Sequence, residues 1–238
     1  MAPALSVVVP CFNAQGTIEG CLRSILRSRY RDFEMVVVDD GSDETDATAA
    51  IVKSLRDQDA RVRYFRLPAN RGAAEARNVG AAQAEGEFVL FIDSDAQVLP
   101  DTLQNFMARI QECDAVTGIY HAESLTACWA GRYKALLNHY FFSQSGVVEY
   151  SLFGGAIAGM RAAVFREIGG YDSAKVGKLE YEHEELSERL TPRYRNILDP
   201  SVQVRHAFPG WRRLTRNYWV RSALWAELSL RHHRLENV

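Results

Sequence analysis

Phe88-Val89-Leu90-Phe91-Ile92-Asp93-Ser94-Asp95 runs five apolar residues directly into two carboxylates. So short a run, rich in branched and aromatic side chains, is the signature of a strand buried on both faces of a sheet. Its aspartates then stand at the carboxyl end of the strand, where an open α/β sheet binds its ligands. Two upstream stretches repeat the arrangement: Val36-Val37-Val38 leads into Asp39-Asp40-Gly41-Ser42-Asp43, and Leu5–Val9 leads into Pro10-Cys11-Phe12-Asn13. Working outward, strands are expected at Leu5–Val9, Phe33–Asp39, Val62–Arg66, Phe88–Ile92 and Ala115–Tyr120. Helices are expected between them near Ile18–Arg27, Thr45–Arg56, Ala73–Ala84 and Asp101–Gln111. This alternation predicts an α/β fold with a Rossmann-like, mostly parallel sheet flanked by helices.

Beyond residue 120 the alternation fades. An amphipathic helix is expected over Leu125–Phe142, a close-approach segment over Gly154–Met160 and a charged helix over Glu180–Leu190. A short strand at Ser201–Arg205 and a final helix over Trp211–His233 complete the pattern. With no internal repeat, low-complexity tract or linker, residues 1–238 read as one domain whose C-terminal portion is less regular.

The 238 residues are 47% apolar and 24% charged, values that exclude wholesale disorder and disulfide scaffolds and predict a soluble, folded chain. The net charge of −2 offers no overall case for nucleic acid, but it conceals an asymmetry. From Arg193 onward there are nine arginines, no lysine and three acids, a local balance of +6. This basic end, beside Trp211, Tyr218, Trp219 and Trp225, suits a diphosphate, an anionic acceptor, a membrane surface or plain solvation of an amphipathic helix. Cys11, Cys21, Cys113 and Cys128 lack the spacing of a zinc site or disulfide framework. The N-terminal Met-Ala-Pro-Ala-Leu-Ser has no basic leader character, and no window resembles a membrane span. A cytoplasmic location is expected, with any membrane contact peripheral and at the inner face.

Each motif has a bland reading beside a chemical one. Phe12 covers the sheet edge or stacks on a nucleobase. Asp and Ser after the second strand form turns and caps, which accounts for Ser42 or Asp43 better than for Asp40. Asn70-Arg71-Gly72 and Arg77-Asn78 are a solvated helix start or an anion site at a helix N-terminus. Asp93-Ser94-Asp95 supplies hard oxygen ligands where a divalent cation and a diphosphate would sit, and its position at a strand end strengthens a triplet that is common by chance.

Taken in order, Val-Val-Pro-Cys-Phe-Asn, Val-Val-Asp-Asp-Gly-Ser, Asn-Arg-Gly-Ala-Ala-Glu-Ala-Arg-Asn-Val-Gly and Glu-Gly-Glu-Phe-Val-Leu-Phe-Ile-Asp-Ser-Asp resemble the N-terminal half of a family 2 glycosyltransferase of GT-A fold. Gly169-Gly170-Tyr171-Asp172, the charged helix and Val204-Arg205-His206 resemble later landmarks of that family. The resemblance implies an inverting enzyme that moves a sugar from a nucleoside-diphosphate sugar, foremost a UDP-sugar, to a hydroxyl of a glycan, lipid-linked or small-molecule acceptor. Residues 1–120 would then be the nucleotide-sugar half and 121–238 the acceptor half with the C-terminal helix. Pro10 would shape the base pocket, Phe12 would stack on the base and Asp40 would bond to it. Arg71 and Arg77 would lie near the nucleotide, and Asp93 and Ser94 near the ribose. Asp95 would bind a Mg²⁺ or Mn²⁺ ion bridging the diphosphate, with His206 completing the metal site. By itself, His206 after a short strand reads as structural.

One departure stands out. Where relatives place an aspartate as general base, alignment on Glu185-Leu186 and Arg189-Leu190 puts His183. An imidazole with a pKa near ~6.5 is a competent base at neutral pH. The base assignment stays open between His183, Glu182 and Glu184, on a helix some of whose glutamates are merely solvated. The rival functions are a nucleotide-sugar-binding homologue without transfer activity, a nucleotidyltransferase and a receiver-like domain. No glycine- and lysine-rich loop for a triphosphate is seen, and a receiver leaves everything after residue 120 unexplained.

Overall fold

The computed structural model describes residues 2–176 and 181–212, together with residues 215, 216, 219 and 222. The first half alternates as the pattern predicts: β1 (Leu5–Cys11), α1 (Ile18–Leu26), β2 (Phe33–Asp39), α2 (Thr48–Gln58), β3 (Val62–Arg66), α3 (Ala73–Gln83) and β4 (Phe88–Ile92). Then come β5 (Ala96–Val98), α4 (Thr102–Arg109), β6 (Ala115–Tyr120), α5 (Trp129–Ser143), β7 (Val148–Glu149) and β8 (Ile157–Arg161). The chain continues through α6 (Ala162–Glu167), α7 (Ser173–Val176), α8 (Glu182–Leu190) and β9 (Asn196–His206). All the strands join one sheet of order β3-β2-β1-β4-β8-β6-β9-β5, with β7 on β9. The four strands β3, β2, β1 and β4 run parallel. β8 enters antiparallel between β4 and β6, and β9 lies parallel to β6.

The continuous apolar runs follow from burial on both faces. Val7, Val9, Met35, Val37 and Leu90 pack with α1, α2 and α4 on one side, whereas Val8, Val36, Val38, Val89 and Phe91 pack with α3, α6 and α8 on the other. Each such side chain contributes about 1.5–3 kcal/mol by leaving water. The β1–β2 register pairs Cys11 with Asp39 and the β1–β4 register pairs Val8 with Phe91. The carboxyl ends of the three strands are therefore brought to one edge.

Several boundaries differ from expectation for local reasons. β1 continues through Pro10 to Cys11 because β4 pairs with it only as far as Val8, so a residue without an N–H sits where one side of the strand is already open. α2 starts at Thr48, since Asp46 Oδ1 accepts the Thr48 N–H at 2.9 Å and holds residues 44–47 in a turn. β5 and α6 carry too little periodicity to be read in advance, and the expected close-approach segment turns out to overlap β8. The predicted Ser201–Arg205 strand is the second half of β9. Of the predicted final helix, residues 211, 212, 215, 216, 219 and 222 are helical; the rest of it, with Glu180 of the charged helix, lies outside the described residues. No helix among the described residues is long and apolar enough to cross a membrane.

Candidate active site

The loops leaving β1 and β2 are laced together. Asn13 donates its backbone N–H to Ser42 Oγ at 2.9 Å and its Nδ2 to Asp43 Oδ2 at 2.8 Å, and the Asp43 N–H returns to Asn13 Oδ1 at 2.9 Å. This lacing leaves Phe12 44% exposed at the sheet edge, above the buried Pro10. Asp40 is buried and its two oxygens accept the N–H groups of Arg71 and Gly72 at 2.8 and 2.7 Å. Burial raises its pKa more than those N–H groups lower it. Asp40 thereby clamps the loop that opens α3, where Gly72 adopts a positive φ of 97°. The Arg71 side chain turns outward to Glu75 at 3.2 Å.

Arg77, one turn into α3, goes the other way. Its buried guanidinium joins Asp93 Oδ1 at 2.8 Å and Glu182 Oε1 at 3.1 Å, over the Tyr171 ring at 5.6 Å. Burial disfavours the cation, but Asp93, Tyr171 and Glu182 outweigh it and keep Arg77 above its usual range. Asp93 is pushed up by burial despite Arg77. For Glu182 the balance is reversed: burial would raise it, yet His183 and Arg77 hold it below the usual carboxylate range.

β5 folds back along β9 so that Ala96 pairs with His206, which brings His206 Nε2 to 3.1 Å from Asp95 Oδ1. Asp93, Asp95 and His206 each offer a donor atom, and these atoms lie within 4.8 Å of one another. Two hard oxygens and an imidazole nitrogen suit Mg²⁺ or Mn²⁺. His206 Nδ1, the ring nitrogen turned away from Asp95, is buried with no hydrogen-bond partner. Burial lowers the His206 pKa, but the Asp95 hydrogen bond and the charges of Asp95 and Asp93 raise it further than burial lowers it.

α8 opens with Glu182, Glu184 and Glu185 in its first turn, where carboxylates favour the positive end of the helix dipole. Glu185 turns inward to Arg189 at 2.6 Å and is structural, and Glu188 faces solvent. His183 packs edge-on against Tyr171, whose hydroxyl lies 3.5 Å from Nδ1. It also rests against Gly154, at φ 149°; a side chain there would overlap the imidazole.

One cavity of about 570 Å³ gathers these groups: Arg77, Asp93, Asp95, His206, Glu182, His183 and Glu184 all line it. Gly154 and Gly155 line it too, whereas Pro10 near the end of β1, and Phe12, Asp40, Arg71 and Ser94 on the loops along the sheet edge, lie outside its lining. Sequence reasoning missed Lys134, Asn138 and Phe142 of α5, although their spacing of four residues marks one helix face. It also missed Arg77 as a bridge to α8, for which no sequence signal exists, whereas the two aspartates of Asp93-Ser94-Asp95 do meet in the cation-compatible cluster.

A sequence profile of glycosyl transferase family 2 matches residues 6–169, about two-thirds of the chain. The chain belongs to this family. Similar proteins include an uncharacterized glycosyltransferase of Haemophilus influenzae, 37% identical over 110 residues that cover 45% of this chain and 43% of that protein. The GalNAc(5)-diNAcBac-PP-undecaprenol beta-1,3-glucosyltransferase of Campylobacter jejuni is 39% identical over 112 residues, 46% of this chain and 35% of that protein. The match thus spans less than half the length of these curated relatives. Among solved structures, the mannosyltransferase PcManGT of Pyrobaculum calidifontis, in complex with GDP-Man and Mn²⁺, superposes with a TM-score of 0.65 at 25% identity, over 88% of this chain and 58% of that one. The family 2 fold here is GT-A, as the order of motifs implied.

Proposed function

We propose that this family 2 chain transfers a sugar from a nucleoside-diphosphate sugar, UDP-linked in the first instance, to an acceptor hydroxyl with inversion at the anomeric carbon. The observation that carries this reading is the single cavity lined both by the Asp93, Asp95 and His206 cluster and by His183. Phe12 stacks on the base at its exposed edge, with Pro10 beneath and the Asp40-clamped loop alongside. Arg71 and Arg77 lie toward the nucleotide, and Asp93 and Ser94 toward the ribose. Asp95 and His206, with Asp93 beside them, would hold a Mg²⁺ or Mn²⁺ ion, whose charge offsets that of the departing diphosphate. The cation and nucleotide sugar bound by PcManGT support this assignment.

His183 takes the proton of the acceptor hydroxyl as its oxygen attacks the anomeric carbon. The bond from that carbon to the diphosphate oxygen breaks on the opposite face, which inverts the configuration. Glu182, with its pKa lowered and its carboxylate engaged by Arg77, is the weaker base and serves to orient that guanidinium. Glu184, beside them in the lining, is the remaining alternative. Residues 1–120 form the donor half and residues 121–238 the acceptor half in this reading, which the α5 and α8 side chains in the lining support.

The test is thermal melting with UDP, GDP and their sugar conjugates, with and without Mn²⁺ or Mg²⁺. A ligand at a hundred times its Kd stabilises by about 2.7 kcal/mol. The expected shift needs both nucleotide and cation and is lost in Asp95→Asn. No shift with any nucleotide overturns the reading, and a shift without sugar release to any acceptor or water marks a binding protein instead.

A further inference from the structure

No carboxylate occurs between Glu123 and Glu149, a stretch that contains Arg132, Lys134 and the whole of α5. The helix seats itself with small side chains: Ala130, Gly131 and Ala135 are its buried residues. The large ones point away. Trp129, Tyr133, Leu136, Tyr140 and Phe141 are each more than half exposed, and the first four recur at intervals of four, three and four residues, one stripe of a helix. The amphipathic helix expected from sequence is thus present with its apolar stripe turned outward.

A second segment extends this face. Trp211 stacks on Trp129 with ring centroids 5.7 Å apart, and Trp219, one helical segment further on, is 81% exposed. Arg212 and Arg216 are exposed beside them, and no carboxylate occurs from Pro200 to Ala226. The surface is therefore aromatic and cationic, and among the described residues Arg132, Arg212 and Arg216 have no ion-pair partner.

Exposed rings of this number mark an interaction surface. Trp and Tyr suit a boundary that is apolar on one side and wet on the other, and exposed arginines complement an anionic one. A second copy would set the same cations against each other, which argues against self-association. We propose that this face seats the protein on an anionic phospholipid surface, with the rings at headgroup depth. The neighbouring face of the same helix lines the cavity through Lys134, Asn138 and Phe142, and Phe208 and Pro209 lead from the lining to Trp211. The bilayer then runs along the α5 side of the cavity.

The test is co-sedimentation of the full chain with phosphatidylcholine vesicles containing phosphatidylglycerol, and with phosphatidylcholine vesicles alone. It needs no transfer activity, so its failure leaves the proposed reaction untouched. Of the four tryptophans, Trp129, Trp211 and Trp219 lie on this face, so tryptophan fluorescence reports on it. Binding to the anionic vesicles, weakening with salt, and a blue-shifted emission are expected. Tyr140→Ser with Phe141→Ser should weaken binding about tenfold or more, and Arg132→Glu with Arg216→Glu should abolish the preference for anionic lipid, each with an unchanged circular dichroism spectrum. Absence of binding to either vesicle, or binding indifferent to these substitutions, overturns the proposal. So does a dimer in sedimentation velocity that the same substitutions dissolve.

Discussion

Arg77 Nη1 lies 3.1 Å from Glu182 Oε1, although 105 residues separate them in the chain. Arg77 Nη2 meets Asp93 Oδ1 at 2.8 Å, so one buried cation ties α3, the end of β4 and the start of α8 together. Asp93 and the helix carrying His183 are thereby held at a common point.

Arg77→Met should remove that point and leave two carboxylates without their counter-charge. Breaking a buried pair in this way costs about 3–5 kcal/mol, read as a lower urea midpoint at unchanged slope. Arg77→Lys, which retains the charge but not the fork, should fall between. A midpoint equal to that of the unaltered protein for Arg77→Met would refute the bridge.

Gly154→Ala should be strained by its positive φ and by overlap with the imidazole of His183. If the overlap matters, the cost of Gly154→Ala shrinks in a His183→Ala background, with a coupling energy of roughly 0.5–3 kcal/mol in a double-mutant cycle. Strict additivity would assign the cost to the backbone alone.

Turnover separates the candidate bases. His183→Ala should lower kcat by about 10²–10⁴-fold, whereas Glu182→Gln should lose far less at similar donor affinity. Similar mild losses from both would remove His183 from the role and direct attention to Glu184.

Stability as a function of pH tests the state of Glu182. Its pKa in the fold lies below the ordinary 4.5, so its contribution is complete above that value and disappears as pH falls through the lowered one. Glu182→Gln should therefore be the less stable protein at pH values near neutral, with the gap narrowing on acidification below 4.5. Parallel unfolding curves for the two proteins at every pH would contradict this.

Much of the fold is legible along the chain because its signals are local. An apolar run ending in Asp declares a buried strand and the edge where it stops, as in β2 and β4, and β3 and β6 lie where their branched and aromatic residues put them. The elements it missed lack such signals. β5 is three residues long, and β8 is a glycine-containing strand whose place between β4 and β6 follows from sheet order. α5 misleads for a physical reason: apolar spacing locates a stripe on a helix but carries no sign for inward or outward. Here Ala130, Gly131 and Ala135 let the backbone approach the sheet, and the rings are left outside.

The sequence by itself determined the alternating α/β half, the carboxylates at its edge and the family to which the chain belongs, because strand burial, turn chemistry and ordered motifs are properties of neighbouring residues. Only the tertiary structure decided that Arg77 reaches Glu182, that His183 rests against Gly154 and that Asp95 meets His206. Each of these joins residues far apart in the chain, and their meeting depends on sheet order and packing, which no local pattern encodes.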